Sequence, residues 1–324
     1  MIERDFQKRT GYEGNFKPLL VEVCSAYDLG MYISHKVLTS GYEDFNLVLE
    51  TEKGRFFTKI FADFRDLDNC KRYLKIISEV LKAGVSHPKL FSYQDKYLFQ
   101  KAVEGKDIRL CVMEFVEGES FYESKSLPLK EEIRDLVQQA AKINKIQLKP
   151  SFIYDSWSIT SFPKEFEKVS NYLEKVDLDL IKPLLEEFQN TNVEELPHCL
   201  VHGDIIKTNV LTNKAGKIFI VDFSVSNYYP RIQELAVLLC NMLFDENKID
   251  TFFDNYKFAL GEYQKNLELT KQELEKLPLF IKIAHAMHII GATKERELNK
   301  NTSEENDYWL KLGKVGLRFT SKLF

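Results

Sequence analysis

Four side chains rich in oxygen and nitrogen stand at fixed offsets in LVHGDIIKTNVLTNKAGKIFIVDFS, residues 200–224: His202, Asp204, Asn209 and Asp222. An Asp placed to accept the proton of a hydroxyl, beside an amide oxygen and a second carboxylate able to grip a hard cation, is what phosphoryl transfer requires. That reaction asks for little covalent help but for much charge neutralisation and positioning. Asp204 is therefore the candidate base, and Asn209 and Asp222 are the candidate metal ligands. The plain alternative is a β-hairpin decorated with polar residues, with Asn213 to Gly216 as an ordinary turn.

These residues need a loop between two short strands, with the second strand delivering Asp222. Apolar runs on either side, ending in IFIV, supply such strands. Elsewhere the chain changes character once. KPLLVEVCSAYDL (17–29), followed by Gly30, reads as a helix closed by glycine. Strand-like segments follow: MYISHKVL, FNLVLETEKGRFFTKIF with Glu52-Lys53-Gly54 as a hairpin turn, KLFSYQ, KYLFQKAV and IRLCVMEF. One helix interrupts them at 66–83, with Leu74, Ile77, Val80 and Leu81 on one face. Beyond EGES (117–120) the pattern is mostly helical, over 129–147, 163–189, 231–244, 249–265, 270–295 and 304–318. This order predicts an α+β chain of two lobes with a cleft between them: a sheet-rich part over 1–116 and a mainly helical part over 117–324.

Bulk properties exclude other classes. The 324 residues suffice for a substantial core, and 44% hydrophobic with 29% charged residues is globular composition. A net charge of −4 leaves no basic footprint for nucleic acid or an anionic membrane. Cys24, Cys70, Cys111, Cys199 and Cys240 are scattered and odd in number, as expected of reduced thiols. The opening MIERDFQKRTGYEGNF lacks the apolar core of a signal peptide, and no apolar run approaches the roughly 18 residues of a membrane span. A soluble, cytoplasmic protein is expected.

The spacing H-x-D-x4-N is that of the protein-kinase catalytic loop, and other parts of that machinery can be sought upstream. Lys59 in GRFFTKIF lies on a strand soon after TSGYEDFN (39–46), whose single glycine, Gly41, would belong to a nucleotide-covering loop. In VMEFVEGES (112–120) an adenine would bond main-chain groups, the carbonyl of Glu114 and the N–H of Val116. HGDIIKTN, VDF, MEFVEG and SGYEDFN…FTKIF together resemble the aminoglycoside phosphotransferase/choline kinase family, small-molecule relatives of protein kinases, from about residue 17 to at least 245. Glycine after the motif histidine favours the small-molecule branch. The resemblance implies ATP, with GTP an alternative donor, and Mg²⁺. It casts Asp204 as base, Asn209 and Asp222 as metal ligands, and Lys59 as the phosphate-binding lysine. Glu234, in the helix after the metal-binding strand, is implied to be structural. The acceptor would be a small hydroxyl compound bearing an amine: an amino sugar, choline or ethanolamine, or homoserine. Neither nucleic acid nor membrane is an expected partner.

The sequence also departs from the family. Ile205-Ile206-Lys207-Thr208 replaces a Leu-His-Pro-Gly-like run, and Lys207 is read equally as a phosphate contact or a solvent-facing residue. Aligning AGVSHP with the family's helix end puts Tyr73 where a Glu is expected. Of the acids Glu79, Asp66 and Asp68, Glu79 is the preferred partner for Lys59. A Lys59 without a partner would instead indicate a catalytically degenerate nucleotide-binding member. The short SVSNYYPRIQEL after Asp222 has no long activation loop, which disfavours a protein kinase. His285 and His288 in AHAMHIIGA have a chelating spacing, but no nearby Cys or third ligand completes a set, so buried histidines are expected. The run FDENKIDTFFDNY (244–256) is either a charged helix surface over an aromatic core or a binding surface for a cationic substrate.

Overall fold

A computed structural model describes residues 7–38 and 43–324. The chain divides into two compact units, Met1–Lys82 with Ser86–Gly118, and Ala83–Val85 with Glu119–Phe324.

The first unit is built on an antiparallel sheet in the order β1-β2-β3-β5-β4, from β1 (Tyr32–Leu38), β2 (Phe45–Thr51), β3 (Gly54–Ile60), β4 (Phe99–Val103) and β5 (Lys106–Glu114). Helix α1 (Lys17–Ala26) ends earlier than its apolar run, and the chain turns back through Asp28 and Gly30, both at positive φ. Leu19, Leu20, Val23 and Cys24 of α1 pack on Phe45, Leu47, Leu49, Phe56 and Ile60 to form the core of this unit. The two-residue turn Glu52-Lys53 sets the β2–β3 register, pairing Thr51 with Gly54 and Asn46 with Lys59. Because side chains alternate along a strand, Lys59 points away from the α1 face. Helix α2 (Leu67–Lys82) supplies a neighbour for it: the Lys59 Nζ lies 5.2 Å from the centre of the Tyr73 ring.

KLFSYQ does not form the strand its composition suggests. Lys89–Phe91 bonds only the C-terminal end of β5, through Phe91 N to Val112 O and Glu114 N to Lys89 O. The rest of that edge is taken by β4.

The second unit is mainly helical. It contains α3 (Lys130–Asn144), α4 (Phe162–Val169), α5 (Lys175–Gln189), α6 (Ile232–Met242), α7 (Phe252–Asn266), α8 (Lys271–Glu297) and α9 (Glu304–Leu323). The helix expected over 163–189 is two helices, because Leu173 is extended (ψ 142°) and restarts the chain in a new direction. Helix α8 starts at a reciprocal cap, in which Thr270 Oγ1 accepts from Glu273 N and Glu273 Oε2 accepts from Thr270 N. Every residue of α6 is buried, which makes it the central helix of the unit. The fold is thus the expected α+β arrangement of a small antiparallel-sheet lobe and a larger helical lobe. No helix among the described residues is long and apolar enough to cross a membrane.

Two small sheets interrupt these helices. Strand β7 (His198–Val201) pairs antiparallel with β10 (Asn227–Pro230). Strand β8 (Val210–Asn213) lies between β6 (Gly118–Ser120) and β9 (Ile218–Ile220).

Candidate active site

The 200–224 stretch is more than a decorated hairpin. The Asn213–Gly216 turn does join β8 to β9, but β7 belongs to the other sheet. The chain therefore crosses from one sheet to the other at 202–209 and returns at 221–226. Asp204 and Asn209 lie on the first crossing, and Asp222 lies on the second.

The crossings are tied to each other. Val221 N donates to Asn209 O (2.9 Å), and Ser226 Oγ donates to His202 O (3.2 Å). His202 is fully buried and takes both roles of a neutral imidazole: Nε2–H bonds Val221 O (3.1 Å), while Nδ1 accepts from Asp204 N (3.1 Å). Burial pushes its pKa down to about 4, so the ring stays neutral and its tautomer is set by these two partners. Phe223 packs on the imidazole with ring centres 4.3 Å apart.

Beneath the first crossing lies Glu234, fully buried in α6. It accepts from Gly203 N (3.3 Å) and His202 N (2.5 Å), and from Asn144 Nδ2 (3.4 Å). This is a structural role, as the resemblance implied. Burial outweighs these bonds and raises the carboxyl to a pKa of about 7. Gly203 sits at φ +84°, where a Cβ would meet nothing closer than 3.9 Å; the requirement for glycine there is conformational and not spatial. Asn144 is the hub under the loop. Its Nδ2 donates to Leu200 O (3.0 Å), and its Oδ1 accepts from Tyr263 Oη (2.6 Å).

Asn209 Nδ2 donates to both Asp204 Oδ2 (2.6 Å) and Asp204 O (3.1 Å). With its NH2 so engaged, its amide oxygen could face a cation, and the carboxylate of Asp222 could supply a second oxygen. Two such oxygens suit a hard divalent ion. Asp222 holds φ +66°, an uncommon backbone state for a residue with a side chain and one that concentrates at functional sites.

In the first unit, Lys59 is buried and paired, but not with Glu79. Its Nζ donates to Asp44 Oδ2 (2.9 Å), while Asp44 Oδ1 accepts from Ala62 N (3.0 Å) and Arg65 Nε (2.9 Å). Glu79 instead bonds Lys75 and Lys82 on its own helix. The reason is the hairpin register: Asn46 faces Lys59, so Asp44 is the diagonal neighbour on the same face of the sheet. The gap that pointed to a degenerate member is thereby filled. Glu114 ends β5, and Val116 follows in the segment that leads to β6. Gly41 lies outside the described residues.

The expectation that no cysteine joins His285 and His288 is also corrected. Packing of α6 on α8 brings Cys240 Sγ to 3.0 Å from His285 Nδ1 and 3.9 Å from His288 Nδ1. All three are buried, and burial lowers both imidazole pKa values. Here α9 presses in so closely that a Cβ on Gly316 would fall 2.2 Å from the His285 ring. A divalent ion would leave net positive charge in this apolar interior, so we read the trio as neutral packing.

Residues 34–270 match the phosphotransferase enzyme family. The chain belongs to that family. It is a phosphotransferase of kinase-like fold. A homoserine kinase of Nitrobacter hamburgensis is 22% identical over 269 residues, covering 80% of this chain and 78% of that protein. Among solved structures, the amicoumacin kinase hAmiN in complex with AMP-PNP, Ca²⁺ and Ami shares the fold at TM-score 0.67 and 16% identity, covering 95% of this chain and 94% of that one. A microcompartment-associated aminopropanol kinase does so at TM-score 0.66 and 13% identity, covering 94% and 96%.

Proposed function

We propose that this phosphotransferase moves the γ-phosphoryl group of ATP to the hydroxyl of a small, amine-bearing acceptor, with Asp204 as general base and Asn209 and Asp222 as ligands of Mg²⁺. Bound there, the ion would neutralise charge on the phosphate oxygens. Asp204 takes the hydroxyl proton while its carboxylate is steadied by the Asn209 amide. His202 and Glu234 fix the path of the loop, and Lys59 contacts the α- and β-phosphates. The carbonyl of Glu114 and the N–H of Val116 receive the adenine.

The observation that carries this reading is the pair of crossings, tied through Val221–Asn209, His202–Val221 and Ser226–His202, which holds an acid, an amide and a second acid on adjacent backbone. Homoserine and amino alcohols are the preferred acceptors, in keeping with the homoserine kinase relatives and the aminopropanol kinase likeness.

The test is ADP release from Mg-ATP over a panel of amino alcohols, hydroxy amino acids and amino sugars. Release that depends on both acceptor and Mg²⁺, and that is lost in Asp222→Asn, is expected. ADP release with no member of the panel, in the presence of bound nucleotide, would overturn the reading.

A further inference from the structure

Lys207 lies three residues after the candidate base, on the same crossing. Bonds from Ile206 N to Asp204 O (3.0 Å) and from Asn209 N to Ile206 O (2.9 Å) fold that crossing into successive turns. The Cα atoms of Asp204 and Lys207 are thus closer than the ~11 Å that three extended residues would span. The Lys207 side chain is half-buried, yet among the described residues its ammonium makes no hydrogen bond and no ion pair. The ring centre of Tyr308 of α9 lies 6.0 Å from Nζ.

The surroundings are specific. Tyr122 N donates to Lys207 O (3.1 Å), and the Tyr122 ring packs edge-on against Tyr308 with centres 5.3 Å apart. Asp245 and Glu246, just after α6, act on Lys207 electrostatically, although burial outweighs them and lowers its pKa. Glu246 is bound to Lys311 of α9 (2.6 Å). Asp245 accepts Asn247 N at Oδ1 (2.8 Å) and, among the described residues, has no cationic partner. Lys207 and Asp245, neither with an ion-pair partner among the described residues, thus both act on Tyr308 of one aromatic pair, beside the loop that carries the candidate base.

We propose that Lys207 and Asp245, over Tyr122 and Tyr308, are the acceptor-specificity residues, and that they select a zwitterionic hydroxy amino acid: Lys207 takes its carboxylate and Asp245 its ammonium. This rests on the phosphotransferase reading above. The chemistry separates it from the rival roles of this lysine. A phosphate held by Lys207 would face Asp245 and Glu246 as like charges. A polyamine sugar would suit the acids but would leave Lys207 desolvated against another cation. Only an acceptor carrying both signs satisfies both groups.

Matched acceptors test it. L-Homoserine is compared with 3-amino-1-propanol, and L-serine with ethanolamine; each pair differs only in the carboxylate. With wild-type enzyme, kcat/KM should favour the carboxylate-bearing member of a pair by roughly a hundredfold, as expected for a charge-assisted contact made in a half-buried site. Lys207→Met should cut that preference about tenfold or more through KM of the acceptor, with KM for ATP unchanged, and Lys207→Arg should retain most of it. Turnover of amino alcohols or amino sugars alone would overturn the proposal while leaving the transferase reading intact. So would a Lys207→Met variant that keeps the preference or raises KM for ATP instead. ADP release with no alcohol of any kind would tell against the transferase reading itself.

Discussion

The two units each hold a buried carboxylate beneath a candidate site residue, and they hold it in opposite ways. In the first unit Asp44 is an ionic hub. Both its oxygens are engaged by cations, Lys59 on one and Arg65 on the other, and Ala62 N donates to it as well. In the second unit Glu234 meets no cation among the described residues; its partners there are two main-chain N–H groups and the amide of Asn144. Charge complementarity fixes a long, flexible lysine in the first case. In the second, neutral hydrogen bonds fix backbone, and the residues that would meet substrate are then aimed by that backbone. One arrangement depends on the carboxylate's charge and the other on its shape.

Substitutions separate the two cases. The largest effects should come from the residues that the Glu234 shelf aims. Asp222→Ala and Asn209→Ala should each lower acceptor-dependent turnover by roughly a thousandfold in steady-state assays, with far-ultraviolet circular dichroism unchanged. Turnover near the wild-type level in both would remove them from the ion site.

Next is Asp44→Ala. With two cations left in a buried place, it should destabilise the protein by ~3–5 kcal/mol, read from the denaturant midpoint. A midpoint shift under about 1 kcal/mol would show that the cluster carries no charge dependence.

Glu234→Gln keeps the shape and removes the proton equilibrium. The unfolded carboxyl loses its proton near 4.5, whereas the folded one keeps it to about 7. Wild-type stability from this group is therefore complete below 4.5 and is lost as pH rises through 7, with a slope of up to about 1.4 kcal/mol per pH unit between. The variant should lack that slope and match or exceed wild type near pH 8; identical slopes would contradict a raised carboxyl. Smallest of all, Glu79→Gln should cost under about 0.5 kcal/mol and leave KM for ATP unmoved, because its two lysine bonds lie on the exposed face of α2.

Much of this was open to reading from the sequence, and the limits were physical. The His202–Asp204–Asn209–Asp222 spacing is legible because the residues are close in the chain and the loops are short. The separation of β7 into a different sheet from β8 and β9 is not, since pairing with β10 is decided by packing. Asp44 was legible in principle. The Glu52-Lys53 turn fixes the register, and the register puts Asp44 diagonally across from Lys59. Cys240 beside His285 depends on two helices docking 45 residues apart, which no local pattern encodes. The break at Leu173 carries no glycine or proline to announce it.

The role proposed for Asp204 is that of the base for transfer to a small hydroxyl acceptor. Asp204→Asn tests it most directly, because the amide keeps the shape of the side chain and removes its basicity. Acceptor-dependent ADP release should fall by roughly 10³-fold, while affinity for Mg-ATP stays within about twofold of wild type. Turnover equal to that of wild type would contradict it.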